Sequence, residues 1–176
     1  MKIHVFRLSH RPFRDQRIST HCGLVARAFG AEKMVYSGEK DRNLENSINK
    51  VVKNWGGWFE IEYADGWKKT IEKYRKKKFI IIHLTMYGLP VQKTIDKIRK
   101  QRKNILLIAG GEKVPPEIYC EADFNISVTS QPHSEVSALA VFLDRCFKGK
   151  ELEKKHSKAL LKVIPQKMGK KVVKLH

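Results

Sequence analysis

Five arginines fall within the first thirty residues of the chain, in the run RLSHRPFRDQRISTHCGLVARAFG (7–30). Guanidinium groups stay charged and bind phosphate through two parallel hydrogen bonds, so this run suits a nucleotide ligand. On a helix, Arg14, Arg17 and His21 would share one side, because they are three and four residues apart. The two arginines could therefore present their guanidinium groups to a phosphate from the same side. His21 is a candidate proton acceptor near neutral pH, and a structural surface role is the alternative for all three.

Three apolar runs end in polar or glycine-rich segments. FIIIHLT (79–85) continues into Met86-Tyr87-Gly88, ILLIA (105–109) into GGEK (110–113), and NISVT (125–129) into SQPHSE (130–135). In open α/β sheets ligands bind beyond the carboxyl ends of the strands, and glycine pairs let the backbone approach a ligand closely. None of the segments has a dinucleotide or triphosphate fingerprint. Together they predict a small-molecule pocket, although each alone is compatible with a simple turn.

The charge of the chain indicates a polyanionic partner. It has 176 residues, with 36 basic and 18 acidic side chains and a net charge of +18. A field of this size attracts nucleic acid and accelerates its approach. A heavily charged solvated surface, as in heat-adapted proteins, is the alternative, but such surfaces contain more balanced numbers of acids and bases.

Cysteine spacing and hydropathy limit the other possibilities. Cys22, Cys120 and Cys146 form no Cys-x-x-Cys pair, so we expect neither a metal site nor a disulfide framework. The longest apolar run, FIII, is too short to span a bilayer, and the beginning MKIHVFRLSHRP lacks the apolar segment of a signal peptide. We expect a cytoplasmic protein with no membrane and no metal partner.

The elements that must position these residues follow an α/β pattern. Strand-like runs at 2–8, 34–37, 58–63, 79–85, 104–110 and 125–129 alternate with helix-like runs at 18–30, 41–54, 67–77, 91–102, 115–121 and a last helix ending near Phe147. Apolar strands separated by helices predict a mostly parallel sheet covered on both faces. We place one domain at 1–148 and a basic extension at 149–176, where LLKVI and KVVKL flank Gly169 as in a β-hairpin. A disordered basic tail is the alternative for that extension.

Four blocks of the chain resemble one family. HRPFRDQRISTHCGLVARAFGA, HLTMYG, AGGEKVP and NISVTSQPHSEVSALAVFLDR are similar, in order and spacing, to the archaeal tRNA cytidine-2′-O-methyltransferases of the SPOUT superfamily. The resemblance runs from Lys2 to Phe147. It implies methyl transfer from S-adenosylmethionine to the ribose 2′-hydroxyl of cytidine 56 in the tRNA T-loop.

The resemblance also implies a fold and a cofactor site. SPOUT enzymes carry a deep C-terminal trefoil knot that binds S-adenosylmethionine, and they act as homodimers with sites completed by the partner. The cofactor loops would be 84–88, 109–114 and 126–134. The expected cofactor-binding residues are Leu84, Ala109, Gly110, Gly111, Glu112, Lys113, Val128, Thr129, Ser130, Gln131, Pro132, His133 and Ser134.

The chain departs from the wider superfamily where the catalytic arginine is expected. Counted back from Gly30, that position holds Leu24. Glu135 stands where the superfamily's Ser-Leu-Asn motif would have its asparagine. The usual arginine is therefore not carried over. Arg17 is our first candidate for orienting the hydroxyl, followed by Arg14 and His21, and His133 is a second possible proton acceptor. We expect Glu112 and Glu135 to brace backbone amides in the cofactor loops.

Two other functions fit the same residues less well. A non-catalytic RNA-binding protein would explain the basic charge but not AGGEKVP and SQPHSE. Another nucleotide-dependent α/β enzyme would be expected to carry a phosphate fingerprint, and the sequence has none.

Overall fold

The structure, a computed structural model, describes residues 1–111 and 113–175, with only the backbone described for Gln16. The strands of its main sheet are, in chain order, β1 (Ile3–His10), β2 (Lys33–Gly38), β3 (Glu60–Tyr63), β4 (Ile80–Pro90), β5 (Ile105–Ala109) and β6 (Phe124–Ser127). The pairings between them are parallel, in the order β3-β2-β1-β5-β4-β6. The predicted parallel α/β architecture is confirmed.

Helices cover both faces of this sheet. They are α1 (Pro12–Ala28), α2 (Arg42–Trp55), α3 (Trp67–Lys76), α4 (Val91–Lys100), α5 (Glu117–Glu121) and α6 (Glu135–Phe147). Helices α1, α2, α4 and α6 contribute to the core on one face, and α3 and α5 to the core on the other. Strand β5 is buried along its whole length because Ile105 and Leu107 join the first core while Leu106 and Ile108 join the second.

Helix α1 begins at Pro12, before the predicted start at Ile18. Proline is favourable in the first turn, because the N–H it lacks would have no partner inside the helix. The predicted start was wrong because the apolar spacing used to find it only begins at Ile18. Arg14 and Arg17 consequently lie on the helix itself.

Strand β4 is longer than predicted and does not give way to a loop at Met86. Residues 80–90 are extended, and the strand pairs with β6 twice, through Leu84 opposite Ile126 and again through Leu89 opposite Ile126. The chain therefore bulges between Leu84 and Leu89 while it passes along β6. At Gly88 an added Cβ would lie 2.5 Å from the backbone carbon of Asn125 and from the nitrogen of Ile126. Only glycine permits this close approach of two backbones, a tertiary requirement that apolar patterning does not reveal.

The C-terminal extension packs on the end of α2. After a 3₁₀ turn at Lys150–Glu153, strands β7 (Leu161–Ile164) and β8 (Lys171–Lys174) pair as an antiparallel hairpin. The extension is attached by backbone hydrogen bonds from Leu160 N to Asn54 O (2.9 Å) and from Gly57 N to Ser157 O (2.8 Å). The division of the chain into domains at residue 148 stays a prediction.

Candidate active site

The three glycine-rich or polar segments converge on one cleft, beyond the carboxyl end of β5 and beside residues 83–87 of β4. Its volume is about 260 Å³, and it opens beside the first turn of α6. The lining residues are His83, Leu84, Thr85, Met86, Tyr87, Ala109, Gly110, Gly111, Val114, Tyr119, His133, Glu135 and Ala138. Segments far apart in sequence meet here because parallel strands place their carboxyl ends at the same edge of the sheet.

Five of the expected cofactor-binding residues line this cleft: Leu84, Ala109, Gly110, Gly111 and His133. Lys113 lines a neighbouring groove instead, and Glu112 lies outside the described residues. The other six, which do not appear in the lining, are Val128, Thr129, Ser130, Gln131, Pro132 and Ser134.

The SQPHSE segment is held by local hydrogen bonds. The backbone nitrogen of Gln131 donates to Thr129 Oγ1 at 3.2 Å, and His133 Nδ1 lies 2.6 Å from the Gln131 carbonyl oxygen. Ser134 then caps α6, since its Oγ accepts a hydrogen bond from Val136 N at 3.2 Å. A carbonyl oxygen can only accept, so the proton of neutral His133 is on Nδ1 and its Nε2 is left as an acceptor.

The two glycines after β5 have different neighbours. A Cβ on Gly110 would collide with Cγ2 of Val114, so this glycine is required by the loop's own packing. A Cβ on Gly111 would lie 3.3 Å from Nη1 of Arg7. The absence of a side chain at Gly111 therefore leaves the Arg7 guanidinium close to the cleft.

Arg7 is a buried charge that our sequence analysis did not select. Its side chain is 1% exposed, and Nη1 lies 3.6 Å from Oε1 of Glu135 at the start of α6. Neither Nε nor Nη1 has a hydrogen-bond partner among the described residues. Glu135 thus faces a cation, and the expectation that it braces backbone amides stays a prediction. The sequence contained a signal for a buried Arg7. This residue continues the alternation of Ile3 and Val5, whose side chains join the first core, and a charged side chain is unusual at such a position.

His83 is a second residue that the sequence analysis passed over. It is buried at the end of FIIIH, where Nδ1 lies 2.9 Å from Oδ1 of Asn125, and Nδ2 of that asparagine donates to the Tyr119 carbonyl at 2.8 Å. This orientation places the proton of His83 on Nδ1 and leaves Nε2 as an acceptor. Nε2 is buried and has no partner within the described part of the chain. Burial lowers the pKa of His83 below its ordinary value, so the neutral form is favoured.

A groove of about 300 Å³ adjoins the cleft and shares Gly111 with it. Arg11 and Lys113 are on its wall, and His10 is held below by Ser19 Oγ at 2.8 Å and Asp41 Oδ2 at 3.2 Å. Burial alone would raise the pKa of Asp41, but hydrogen bonds from Leu44, His10 and Asn43 hold it below its ordinary value. The described wall of the groove therefore carries two cations, Arg11 and Lys113, and one acid, Glu39.

The three candidate catalytic residues lie elsewhere. Arg14, Arg17 and His21 are exposed on the outer side of α1, and none of them lines the cleft of its own chain. Phe13 beside them is fully exposed. The neighbouring Arg11 forms a salt bridge with Asp15 at 3.1 Å.

The described residues contain neither a membrane-spanning helix nor a cluster of metal-ligating side chains. No helix in the described ranges is both long and apolar enough to cross a bilayer. No cluster of three or more His, Cys, Asp or Glu side chains suited to a metal ion occurs among residues 1–111 and 113–175.

Comparison with known proteins gives a family and close relatives. Residues 55–173 match the model of the family described as tRNA ribose 2′-O-methyltransferase, aTrm56. The tRNA (cytidine(56)-2′-O)-methyltransferase of Thermococcus kodakarensis is 50% identical, with 98% of this chain and 97% of that protein aligned. The protein of the same name from Methanocaldococcus jannaschii is 49% identical, with 99% of this chain and 97% of that protein aligned.

Solved structures share the fold at low identity. An rRNA methyltransferase from Sinorhizobium meliloti superposes with a TM-score of 0.64 at 18% identity, covering 85% of this chain and 56% of that one. A SpoU methyltransferase from Streptomyces viridochromogenes, crystallised with AdoMet, gives a TM-score of 0.60 at 14% identity and covers 84% of this chain and 57% of that one. These likenesses establish the fold and nothing further.

Proposed function

Because this chain belongs to the tRNA ribose 2′-O-methyltransferase family, we propose that it methylates the ribose 2′-hydroxyl of cytidine 56 in tRNA. S-adenosylmethionine is the proposed methyl donor. The observation that carries the proposal is the convergence of three separate segments on one cleft with a buried arginine beside it. The net charge of +18 supports a polyanionic substrate.

The residues of the cleft fit S-adenosylmethionine. Gly110 and Gly111 give a wall of backbone without side chains, and Nε2 of His83 is a buried acceptor that a donor on the ligand would satisfy. Glu135 offers a carboxylate at the mouth of the cleft. When bound, S-adenosylmethionine supplies an electrophilic methyl group attached to a positively charged sulfur.

The residues of this chain supply orientation and proton transfer. Arg7 lies beside the cleft, where its Nη1 is ion-paired with Glu135 and its Nε has no hydrogen-bond partner among the described residues, and its charge would stabilise a negatively charged oxygen in the cleft. An arginine is a poor base, so the proton of the 2′-hydroxyl needs another acceptor. We assign that role to Nε2 of His133, which lines the cleft and carries the free lone pair of its ring. Arg11 and Lys113 would hold the phosphates next to the target ribose.

A homodimer with shared sites would explain the position of the α1 residues. Arg14, Arg17 and His21 face outwards next to the exposed Phe13 and do not line the cleft of their own chain, which fits a contribution to the cleft of a second copy. Mixing Arg17→Ala chains with Gly111→Val chains under subunit exchange tests this arrangement. One intact composite site per mixed dimer should restore part of the activity. No recovery despite proven exchange, or a monomer by light scattering, would contradict the dimer.

We further infer a deep trefoil knot and a cytoplasmic location. The double pairing of β4 with β6 and the close approach at Gly88 support a threaded chain in this region. Cell fractionation tests the location, since cytoplasmic tRNA is the proposed substrate.

Methylation of a tRNA transcript is the direct test. With S-adenosylmethionine, the protein should add one methyl group to the ribose of cytidine 56, which nuclease digestion and mass spectrometry would locate. The C56U transcript is the matched control substrate and should not be methylated at position 56. Methylation of a base, or tRNA binding without any methylation, would overturn the proposal and favour a different enzyme or a non-catalytic RNA-binding protein.

A further inference from the structure

A second cavity lies at the amino ends of the strands, which we call the amino edge of the sheet, opposite the methylation cleft. It is enclosed between the α/β part of the chain and the C-terminal extension. It has a volume of about 320 Å³ and is reached from the amino ends of β1 and β2. Most of its polar and aromatic wall comes from six residues: Lys2, Arg27, Trp58, Lys154, Lys155 and His156. The cavity exists because segment 154–160 packs on the turn after α2, where Gly57 N donates to Ser157 O at 2.8 Å.

A buried arginine forms part of the wall. Arg27 is 9% exposed, and its Nη2 donates to the Gly56 carbonyl at 2.5 Å. Its Nε is buried without a hydrogen-bond partner among the described residues. A buried guanidinium normally has its donors satisfied, so the unpaired Nε indicates a missing acceptor.

The charges around Arg27 are uncompensated. Lys154 and Lys155 are exposed on the wall formed by the extension and have no salt bridge to a described residue. Among the described residues that line the cavity, Glu32 is the only acid, and it is paired with Lys2 at 3.5 Å. The cavity therefore has an excess of positive charge, which favours an anion.

An exposed aromatic ring stands at the rim. Trp58 is 75% exposed, and the Lys158 ammonium lies 4.5 Å from its ring centroid. A tryptophan left in water beside cations matches the surfaces on which proteins stack nucleic-acid bases, where the basic groups follow the phosphates. A small inorganic anion would use the cations but would leave the ring without a role.

We propose that this cavity is a second RNA-binding site, which holds a backbone phosphate of the tRNA on Arg27, Lys154 and Lys155 and an adjacent unpaired base on Trp58. The inference rests on the proposed function for the identity of the RNA. It extends that function because the cavity lies at the edge of the sheet away from the methylation cleft. The tRNA would thus be held at both ends of the sheet.

Binding of an unmodified tRNA transcript to the full-length protein tests this site. The double variant Lys154→Ala/Lys155→Ala should raise the tRNA Kd about tenfold at physiological salt and lower the slope of log K against log salt by roughly 1.4–1.8. Trp58→Ala should raise the Kd by a similar factor, while Trp58→Phe should keep most of the affinity because it retains a stacking surface. S-adenosylmethionine affinity, measured by calorimetry, reports whether each variant is folded.

The matched control is Lys76→Ala/Lys77→Ala, which removes the same charge from exposed positions at the end of α3, on the other face of the sheet. If both double variants change the Kd equally, the effect is general charge and the proposed site is wrong. A change in oligomeric state without a change in Kd would also overturn it, because the cavity would then receive the partner subunit. Loss of tRNA affinity in a protein that methylates no nucleotide would keep this site and overturn the proposed function instead.

Discussion

Each end of the parallel sheet, the carboxyl edge where its strands end and the amino edge where they begin, has a buried arginine. Each arginine has a nitrogen without a hydrogen-bond partner among the described residues, but the surroundings of the two differ. At the carboxyl edge, Arg7 lies 3.6 Å from the Glu135 carboxylate and next to the bare backbone of Gly111. At the amino edge, the only hydrogen bond of Arg27 within the described part of the chain is to the neutral carbonyl of Gly56, and further cations lie beside it. The first arginine is balanced by a negative charge, and the second is not.

This difference indicates which ligand each edge can hold. A balanced arginine beside the cleft suits a ligand that carries charges of both signs, because neither sign is strongly favoured. S-adenosylmethionine, with its carboxylate, amine and sulfonium, is such a ligand. An unbalanced arginine among lysines suits a polyanion and should give strong salt dependence. We therefore expect the same residue type to serve two functions according to its neighbours.

The largest expected effect is at Arg7. Arg7→Leu should lower the methylation kcat by about two orders of magnitude, since a lost electrostatic contact of about 3 kcal/mol changes a rate by more than a hundredfold. Arg7→Lys should recover part of the rate because it keeps the charge beside Glu135. Arg27→Leu should instead act on the KM for tRNA. Steady-state kinetics would measure kcat and the KM for tRNA of both variants. Equal effects of Arg7→Leu and Arg27→Leu on kcat would contradict the proposed difference between the two edges.

Gly111→Val should have the next largest effect. The branched side chain of valine would enter the space between the loop after β5 and Arg7, where even an added Cβ would lie 3.3 Å from Nη1 of Arg7. We expect S-adenosylmethionine to bind at least about tenfold more weakly by calorimetry, with a smaller loss for Gly111→Ala. The tRNA Kd should change little. A parallel collapse of tRNA affinity would mean that the loop is structural.

Gly56→Ala should act on the amino edge alone. Gly56 has φ +70°, and an added Cβ would collide with the backbone of Ser157 and would lie 2.6 Å from Ala159 N. A side chain in this positive-φ extended conformation, which is essentially restricted to glycine, costs about 1–3 kcal/mol before the collision is counted, so the extension should be displaced. Hydrogen exchange should then increase at the amides around residues 157–160, and the tRNA Kd should rise severalfold. An equal loss of S-adenosylmethionine affinity would show that the edges are not independent.

The smallest effect concerns the titration of His83. Its folded-state pKa is lowered from the ordinary 6.5 by burial, so below pH 6.5 the unfolded chain takes up a proton that the folded chain does not. The free energy of unfolding should therefore fall as pH decreases from 6.5 to the folded-state pKa and level off below it. His83→Gln should flatten this part of the curve measured by denaturant titration. His21→Gln, at an exposed position, is the control, and an unchanged slope in His83→Gln would contradict the assignment.

The sequence by itself determined the parallel α/β fold and the segments that form the cleft. Runs such as ILLIA can be stable only when both of their sides are buried, and parallel strands bring the segments after them to one edge of the sheet. Gly110, Gly111 and His133 were predicted on this basis and through the family resemblance, and they line one cleft. Residue roles in the reaction stay predictions. The start of α1 and the end of β4 were misplaced because apolar spacing does not register a proline in a first turn or a glycine at a backbone crossing.

Only the tertiary structure decided which charges are buried and what lies beside them. Arg7 and Arg27 were two among many basic residues in the sequence, and their distinction comes from partners far along the chain, Glu135 in one case and Gly56 in the other. His83 likewise is defined by Asn125, whose orientation sets the position of its proton. The free energy of a charge or a lone pair depends on its solvent access and nearest neighbours, and the packing of distant segments sets both of these.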